Sequence, residues 1–303
     1  MAKVAFVFPG QGSQVVGMGK AICEASAEAR EVFEAADAAL GEPLSKLCFE
    51  GPDEALQLTA NTQPAILTTS IALLRAFGGK CDVAAGHSLG EYTAHVAAGT
   101  LAFEDAVRLV RVRGTYMQEA VPVGQGAMAA VLGGDRAMVE KCCAEADGAV
   151  QPVNYNSPGQ IVIAGESGAV ARASEAIKTA GAKIIPLKVS APFHSSLMRP
   201  AEERLWPHLR DARFSDPKFP VYVNVDAAPV TTADAARDAL RRQVSRAVRW
   251  EESIERMVAD GVTEFIEIGP GKVLTGLIAR IAKPIPRLTL STPTDLAALR
   301  GRT

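Results

Sequence analysis

The stretch at 83–98 reads VAAGHSLGEYTAHVAA and contains the local pattern that decides the fold. Its first three residues, 83–85, are apolar and predict a short buried strand, and residues 91–98 predict a helix. Between them, residues 86–90 form a Gly-x-Ser-x-Gly sequence. A sharp turn of this kind between a strand and a helix is typical of an α/β-hydrolase-like core.

Strand-like segments bounded by glycine and proline alternate with helical stretches along most of the chain. They lie at Val4–Phe8, Val83–Ala85, Met128–Leu132, Ile161–Ala164, Lys183–Val189, Val221–Val225 and Glu264–Ile268. This alternation predicts an α/β fold. The segment from Pro284 to Thr303 predicts a last strand followed by a loosely held tail.

One region has a more specific order of elements. Between Gly126 and Ser190 the predicted order is β-α-β-β-α-β, with helices at 135–146 and 168–180. This is the split order of ferredoxin-like units. We therefore predict an α/β-hydrolase-like core formed by residues 1–123 and 191–303, with residues 124–190 inserted as a ferredoxin-like small subdomain.

The composition excludes several classes of protein. Of 303 residues, 48% are hydrophobic and 22% are charged, as in ordinary globular domains. The formal charge of −2, from 32 basic and 34 acidic residues, gives no field that would attract nucleic acid or an anionic membrane surface. Apolar runs are far shorter than the ~20 residues of a membrane span, and no signal peptide is recognisable. We therefore expect a cytoplasmic protein without a membrane or nucleic-acid partner.

The cysteines give no sign of a metal site or a disulfide framework. There are five of them, an odd number, at positions 23, 48, 81, 142 and 143. None has the CxxC or Cys/His spacing of a zinc site. We expect free thiols and no metal.

Ser88, in the centre of the Gly-x-Ser-x-Gly sequence, is the candidate nucleophile. The two glycines allow a turn that projects its side chain, and the following helix directs free backbone N–H groups towards it. The alternative is a tight turn in which Ser88 only caps the helix. A serine hydroxyl is too weak an acid to attack unaided, so the nucleophilic role requires a base.

Four histidines are available as that base. His87 adjoins the nucleophile, so its ring should point away, and His95 lies two helical turns further on. His208 lies in an arginine-rich stretch typical of a protein surface. His194 follows the last strand of the predicted insertion in a proline-containing loop, a position suited to a catalytic residue on a rigid frame. His194 is our candidate base.

A glycine-rich loop, FPGQGSQ at residues 8–14, follows the first strand. Its spacing matches neither of the common nucleotide-binding patterns, which makes nucleotide binding a weak interpretation. In serine acyl transfer, a backbone N–H from an early loop pairs with that of the residue after the nucleophile to hold the oxyanion. We predict this pair to be Gln11 and Leu89. The alternative is a structural turn with Gln11 in solvent.

Arg113 lies on an apolar helix face. In the predicted helix Phe103–Glu119, the apolar residues Phe103, Ala106, Val110 and Met117 form one stripe, and Arg113 falls close to its centre. A guanidinium on an apolar face must either extend its charged end to solvent or meet a carboxylate, because an unpaired buried charge is costly. The carboxylate would belong either to an acidic substrate, which the planar guanidinium can bind with two hydrogen bonds, or to an internal Asp or Glu. The sequence pattern leaves both interpretations open.

Six motifs in order resemble the malonyl-CoA:acyl carrier protein transacylases. They are FPGQGSQ at 8–14, GHSLGEY at 86–92, RVRGTYMQEAVP around Arg113, NSPGQIVIAG at 156–165, APFHS at 191–195 and IGPGKVLTGL at 268–277. The resemblance runs through nearly the whole chain. It implies a ping-pong acyl transfer in fatty acid biosynthesis, with the loading of a polyketide or other dedicated carrier as the alternative. Ser88, activated by His194, would take malonyl from coenzyme A and pass it to the phosphopantetheine thiol of acyl carrier protein.

The resemblance also implies roles for other residues. The N–H groups of Gln11 and Leu89 would form the oxyanion hole, and Arg113 would bind the malonyl carboxylate. The backbone carbonyl of Gln243 would orient His194. Met117 and Phe193 would join Arg113 as substrate-binding residues, with the Phe193 ring crowding out a 2-methyl group. Asn156 and Gln160 are further candidates for the acyl pocket. No cofactor beyond the coenzyme A thioester is implied, and we expect a monomer.

Two other functions share part of this pattern. A serine esterase would use the same turn, histidine and oxyanion donors, but it would not need a buried cation at its acyl pocket. A catalytically silent protein that docks the carrier would not need Ser88 and His194. Carrier docking itself has a candidate surface in a basic run, for which a solvated helix face is the alternative. The run comprises Arg237, Arg241, Arg242, Arg246 and Arg249.

Overall fold

The computed structural model describes residues 2–187, 189 and 191–301. The strands in these residues are β1 (Val4–Phe8), β2 (Val83–Gly86), β3 (Gly126–Leu132), β4 (Val150–Ser157), β5 (Gln160–Glu166), β6 (Lys183–Pro186), β7 (Val221–Val223), β8 (Ala228–Val230), β9 (Glu264–Ile268) and β10 (Arg287–Leu290).

The helices of the first half are α1 (Lys20–Ala25), α2 (Ala27–Leu40), α3 (Leu44–Glu50), α4 (Asp53–Leu56), α5 (Thr59–Phe77), α6 (Leu89–Ala97), α7 (Phe103–Glu119) and α8 (Arg136–Glu145). Those of the second half are α9 (Ser167–Thr179), α10 (Arg199–Asp211), α11 (Ala233–Gln243), α12 (Trp250–Ala259), α13 (Val273–Ile281) and α14 (Pro293–Arg300), with a short 3-10 helix at Ser196–Met198. The chain therefore has the predicted α/β organisation.

The larger sheet has six strands in the order β10-β9-β1-β2-β7-β8. Neighbouring strands are parallel except for β8, which pairs antiparallel with β7. Helices cover both faces of this sheet, so the central strands are apolar on both sides. In β1, Phe6 and Phe8 pack into one hydrophobic cluster, whereas Ala5 and Val7 pack into another on the opposite face.

The smaller sheet has four antiparallel strands in the order β4-β5-β3-β6. Its elements follow one another as β3-α8-β4-β5-α9-β6, the order predicted for this region. One face packs on α8 and α9 through residues such as Val139 and Ile177. The other face turns Met128 and Val162 towards the main core. This second face forms one wall of the functional site.

Some element boundaries differ from the prediction. The strand predicted at Lys183–Val189 ends at Pro186, and Lys188 and Ser190 lie outside the described residues. The strand predicted at Val221–Val225 ends at Val223, because the next residue leaves the sheet to bind the loop around Ser88. Helix α6 begins at Leu89, two residues before its predicted start.

The prediction of a loosely held C-terminal tail was wrong. After β10 the chain forms α14, which begins with a capping box between Thr292 and Asp295. The apolar residues of this helix, Leu296 and Leu299, are buried in the main core. Both the capping pair and the apolar spacing are readable in the sequence. Arg302 and Thr303 lie outside the described residues.

Candidate active site

The turn at Ser88 lies where β2 ends and α6 begins. Ser88 has φ 52° and ψ −106°, a conformation that residues other than glycine rarely adopt. The flanking glycines are required because the chain approaches itself closely. A Cβ on Gly86 would lie 1.9 Å from the carbonyl of Gly90, and a Cβ on Gly90 would lie 2.0 Å from the carbonyl oxygen of Phe8. The Gly-x-Ser-x-Gly pattern is thus a steric requirement of this corner.

Asn224, which follows β7, holds this turn in place. Its Oδ1 accepts a hydrogen bond from the backbone N–H of Ser88 at 2.7 Å, and its Nδ2 donates to the carbonyl of Gly86 at 2.7 Å. Strained backbone of this kind costs about 1–3 kcal/mol and persists only where its surroundings fix it. Sequence reasoning missed Asn224. The available signal was a polar residue within the apolar run predicted as a strand at Val221–Val225.

His194 contacts the hydroxyl of Ser88. Its Nε2 lies 2.7 Å from Ser88 Oγ, and its Nδ1 lies 2.8 Å from the backbone carbonyl oxygen of Gln243. Because a carbonyl only accepts, Nδ1 carries the proton and Nε2 is free to accept from the serine. Burial and the positive charge of Arg113 lower the pKa of His194 to about 3, so the imidazole is neutral at neutral pH.

The other three histidines do not contact Ser88 Oγ. The Nε2 of His87 lies 2.8 Å from Asn156 Oδ1, and its ring packs against Trp250. His95 is fully buried within α6, and neither ring nitrogen has a hydrogen-bond partner among the described residues. His208 is exposed and lies within hydrogen-bond distance of Tyr116 Oη. These positions agree with the reasons for choosing His194 over them.

Arg113, in α7, also contacts the hydroxyl of Ser88. It is 1% exposed, and its Nη2 donates to Ser88 Oγ at 3.2 Å. Two glutamine side chains hold the guanidinium, with Gln63 Oε1 at 2.8 Å from Nη1 and Gln243 Oε1 at 2.8 Å from Nη2. Arg113 forms an ion pair with no Asp or Glu in residues 2–187, 189 and 191–301. The interpretation of Arg113 as half of an internal salt bridge is therefore wrong.

Gln243, the last residue of α11, links the separate parts of the site. Its backbone oxygen accepts from His194, and its side-chain oxygen accepts from Arg113. Its Nε2 donates to the carbonyl of Ser88 at 3.0 Å and to Glu91 Oε2 at 2.9 Å. The sequence resemblance assigned a role only to the backbone carbonyl of Gln243. The side-chain contacts, together with Gln63 and Glu91, were missed, because these polar residues lie far apart in the sequence.

A cavity of about 790 Å³ opens from Ser88 between the two sheets. Its lining includes the predicted residues Gln11, Leu89, Arg113, Met117, Asn156, Gln160, Phe193 and His194. The smaller sheet contributes Met128 and Val162 as apolar wall. The cavity thus combines a serine hydroxyl, a neutral imidazole and a buried guanidinium with an apolar surface.

The glycine-rich loop approaches the turn at Ser88 closely. A Cβ on Gly10 would lie 2.4 Å from the carbonyl oxygen of His87, so only glycine fits there. Gln11 is exposed, and its side-chain Nε2 donates a hydrogen bond to Thr59 Oγ1 at 3.2 Å. Within the described part of the chain, the backbone N–H groups of Gln11 and Leu89 have no acceptor. Both are therefore available to a ligand oxygen.

Among the described residues, no group of His, Cys, Asp and Glu is arranged to hold a metal ion. In the same part of the chain, no helix is both long and apolar enough to span a bilayer.

Comparison with known proteins gives the family. Residues 5–290 match the model of the acyl transferase domain. The malonyl CoA-acyl carrier protein transacylase of Escherichia coli K12 is 52% identical over 305 residues, which cover 98% of this chain and 99% of that protein. The chain belongs to the malonyl-CoA:acyl carrier protein transacylase family. The family prediction from the six motifs is thereby confirmed.

Other members of the family support this assignment. The transacylase of Bacillus subtilis is 50% identical, and the alignment covers 97% of this chain and 95% of that protein. The acyl carrier protein S-malonyltransferase of Vibrio cholerae superposes with a TM-score of 0.96 at 46% identity, over 98% of this chain and all of that one. A malonyl-transacylase solved with a type II PKS acyl-carrier protein superposes with a TM-score of 0.97 at 44% identity, over the full length of both chains.

The basic run predicted as a carrier-docking surface is largely paired within the chain. Four of its arginines form ion pairs: Arg237 with Asp234, Arg241 with Glu202, Arg242 with Asp226 and Asp238, and Arg249 with Glu252. Such pairing favours the alternative of a solvated helix face. Carrier docking on this run stays a prediction.

Proposed function

We propose that this chain is a malonyl-CoA:acyl carrier protein transacylase of fatty acid biosynthesis, working through an acyl ester on Ser88. The proposal rests on three side chains that lie together: Ser88, His194 and Arg113. His194 Nε2 lies 2.7 Å and Arg113 Nη2 lies 3.2 Å from Ser88 Oγ. A nucleophile and its base are common to many acyl-transfer enzymes, whereas a buried cation beside them selects an acyl group with a second, negative end.

In the first half-reaction, His194 Nε2 takes the proton of Ser88 Oγ as the oxygen attacks the thioester carbonyl of malonyl-CoA. The carbonyl oxygen becomes an anion, which the N–H groups of Gln11 and Leu89 stabilise by hydrogen bonds. When the intermediate collapses, the C–S bond breaks and coenzyme A leaves as a thiol with the proton held by His194. The backbone carbonyl of Gln243 keeps the histidine in the required tautomer.

In the second half-reaction, the phosphopantetheine thiol of acyl carrier protein enters the same cavity. His194 takes its proton, and the sulfur attacks the malonyl ester of Ser88. The C–O bond to Ser88 breaks, and the serine recovers its proton. No oxidation state changes, because malonyl-CoA supplies the acyl group, the carrier thiol supplies the new sulfur and coenzyme A leaves as the free thiol. The proposal therefore includes no separate cofactor.

Arg113 selects the acyl group through its free carboxylate. In malonyl, one CH₂ separates this carboxylate from the thioester carbonyl, so a carboxylate on the guanidinium brings the carbonyl close to Ser88 Oγ. Two glutamine oxygens already hold the guanidinium in place. Substrate binding therefore costs little additional side-chain entropy at Arg113. Met117 and Phe193 complete the pocket, and the Phe193 ring disfavours a 2-methyl group by about 1–3 kcal/mol.

We also propose the finer domain organisation predicted from the sequence. Residues 1–123 and 191–303 would form an α/β-hydrolase-like core, and residues 124–190 a ferredoxin-like small subdomain. The order β4-β5-β3-β6, all antiparallel, supports the second assignment, because the two central strands are the first and third of the unit. We further propose that the enzyme is cytoplasmic and monomeric.

Labelled malonyl-CoA tests the proposed function. Incubation should leave a lasting label on Ser88, and addition of acyl carrier protein should discharge it quickly to the carrier. Prompt release of free malonate without carrier would instead identify a hydrolase. Absence of any adduct would favour a silent carrier-binding protein. Ser88→Ala, which lacks the nucleophile, is the control for labelling elsewhere on the chain.

A further inference from the structure

A buried carboxyl group that the acyl transfer does not use lies directly behind the site. Glu91 is in the first turn of α6 and is 0% exposed. Its Oε2 accepts from the backbone N–H of Asn224 at 2.7 Å and from Gln243 Nε2 at 2.9 Å. Its Oε1 has no partner among the described residues. A buried carboxyl group with half its hydrogen-bonding capacity unused is costly, so its presence calls for a reason.

The contacts of Gln243 supply that reason. One end of its side-chain amide accepts from Arg113, and the other end donates to Glu91. An arginine can only donate and an ionised carboxylate can only accept. Only one orientation of the amide satisfies both neighbours, and in that orientation its oxygen faces the guanidinium. Arg113, Gln243 and Glu91 therefore form a row in which a cation and an anion are separated by one amide.

This separation matters for a cation that must bind a substrate carboxylate. A buried guanidinium needs compensation for its lost hydration. A carboxylate in direct contact would provide it but would occupy the N–H groups that the substrate requires. A carboxylate one amide away lowers the cost of the charge without occupying any N–H group of the guanidinium itself. The Nε–H of Arg113 has no hydrogen-bond partner among the described residues.

We propose that Glu91 is a positioning residue, which orients Arg113 through the Gln243 amide and supplies its counter-charge without blocking the site for the substrate carboxylate. This inference rests on the proposed function, since it concerns the choice of malonyl over uncharged acyl groups. Its effect should therefore appear in the ratio of kcat/KM for malonyl-CoA to that for acetyl-CoA.

The first test is Glu91→Gln, which keeps the size of the side chain and removes its charge. Burial raises the pKa of Glu91 to about 7, so the assay is run at about pH 8, above that pKa, where the carboxyl is ionised. We expect the malonyl-to-acetyl ratio to fall about tenfold, the coupling typical of residues in one hydrogen-bond network. In an Arg113→Ala background the same substitution should leave the ratio unchanged. An unaltered ratio in the single variant, or an equal fall in both backgrounds, would overturn the inference.

The second test moves the charge without removing it. Glu91→Gln combined with Gln243→Glu conserves the total charge and a hydrogen bond between the two positions, and it leaves the backbone carbonyl of residue 243 in place. The anion now contacts Arg113 directly. We expect malonyl transfer to fall at least as far as in Glu91→Gln, while acetyl transfer persists. Restoration of the ratio of the unaltered enzyme by this exchange would show that the position of the negative charge is immaterial, and the inference would be refuted. If Glu91→Gln alone fails to fold, the exchange still tests the role proposed for Glu91.

The control is Glu42→Gln. Glu42 pairs with Arg111 on the same helix as Arg113 but outside the cavity, so its removal should not change the ratio. The unaltered enzyme, measured in the same assay, distinguishes a failure of the proposed function from a failure of the role proposed for Glu91. Failure of that enzyme to transfer malonyl counts against the proposed function. Transfer by it, with an unchanged ratio in the Glu91 variants, counts against the role of Glu91 alone.

Discussion

At the scale of single residues, the site depends on a charged side chain and on backbone N–H donors. The fold holds them in position but pairs them with no internal carboxylate among the described residues. Arg113 is almost fully buried, and its nearest polar contacts are uncharged oxygens. His194 is neutral because burial and a neighbouring cation lower its pKa. When a substrate carboxylate neutralises Arg113, that lowering should weaken and the histidine should become a stronger base.

Arg113→Ala removes the guanidinium that we propose binds the substrate carboxylate. A charge-assisted hydrogen bond is worth ~1.5 to 3 kcal/mol, so malonyl transfer should fall roughly tenfold to a hundredfold or more. Acetyl transfer should suffer less, because acetyl has no carboxylate to lose. Steady-state kcat/KM for both thioesters measures the change. Arg111→Ala on the same helix should keep the ratio of the unaltered enzyme, and an unchanged ratio in Arg113→Ala would contradict the assigned role.

At the scale of elements, the site is a corner where a strand, a loop and a helix start approach one another closely. Phe8 at the end of β1, Gly86 at the end of β2 and Gly90 in α6 leave no room for additional atoms between them. The sequence predicted this corner correctly, because its requirements are local: two glycines, a preceding apolar run and a following helix. Boundaries set by distant contacts, such as the end of β7 before Asn224, could not be read from local sequence.

Gly90→Ala tests the steric requirement of this corner. The added Cβ would lie 2.0 Å from a backbone oxygen of β1, so α6 would have to shift away from the sheet. We expect a loss of about 3 kcal/mol or more in the free energy of unfolding, measured by chemical denaturation, together with loss of acyl labelling at Ser88.

Gly276→Ala is the matched control, because it adds the same methyl group to a helix without a steric clash. Gly276 lies in α13, and no atom lies within 4 Å of a Cβ built there. Gly276→Ala should therefore be neutral or stabilise the protein by up to about 1 kcal/mol. Equal stability of Gly90→Ala and Gly276→Ala would show that the close approach at α6 is not a real constraint.

At the scale of the whole molecule, buried titratable groups tie stability to pH. Burial lowers the pKa of His87, His95 and His194 and raises that of Glu91 and Glu267. The unfolded chain takes up protons on these histidines below about pH 6.5, whereas the folded chain does not, so acidification favours unfolding. The two carboxyls act in the opposite sense, because the folded chain keeps their protons to a higher pH. The histidines outnumber them, and stability should fall from pH 7 to pH 5.

His95→Leu isolates one contribution to this pH dependence. The pKa of His95 is about 3, and its ring nitrogens have no hydrogen-bond partner in the described residues. Leucine should therefore stabilise the protein at pH 7 and should stabilise it by about 2 kcal/mol more at pH 5. Denaturant unfolding at both pH values measures the difference. Identical gains at the two pH values would show that His95 is protonated to the same extent in the folded and unfolded chains.

The sequence by itself determined those features that neighbouring residues control. They are the alternation of strands and helices, the turn at Ser88, the arginine on an apolar helix face and the motifs that identify the family. The tertiary structure decided which partners those residues have. Arg113 binds Gln63 and Gln243, which are 50 and 130 positions away, and His194 binds Ser88 across 106 positions. Local sequence controls backbone conformation, but a hydrogen bond between distant residues exists only after two sheets and their helices have packed.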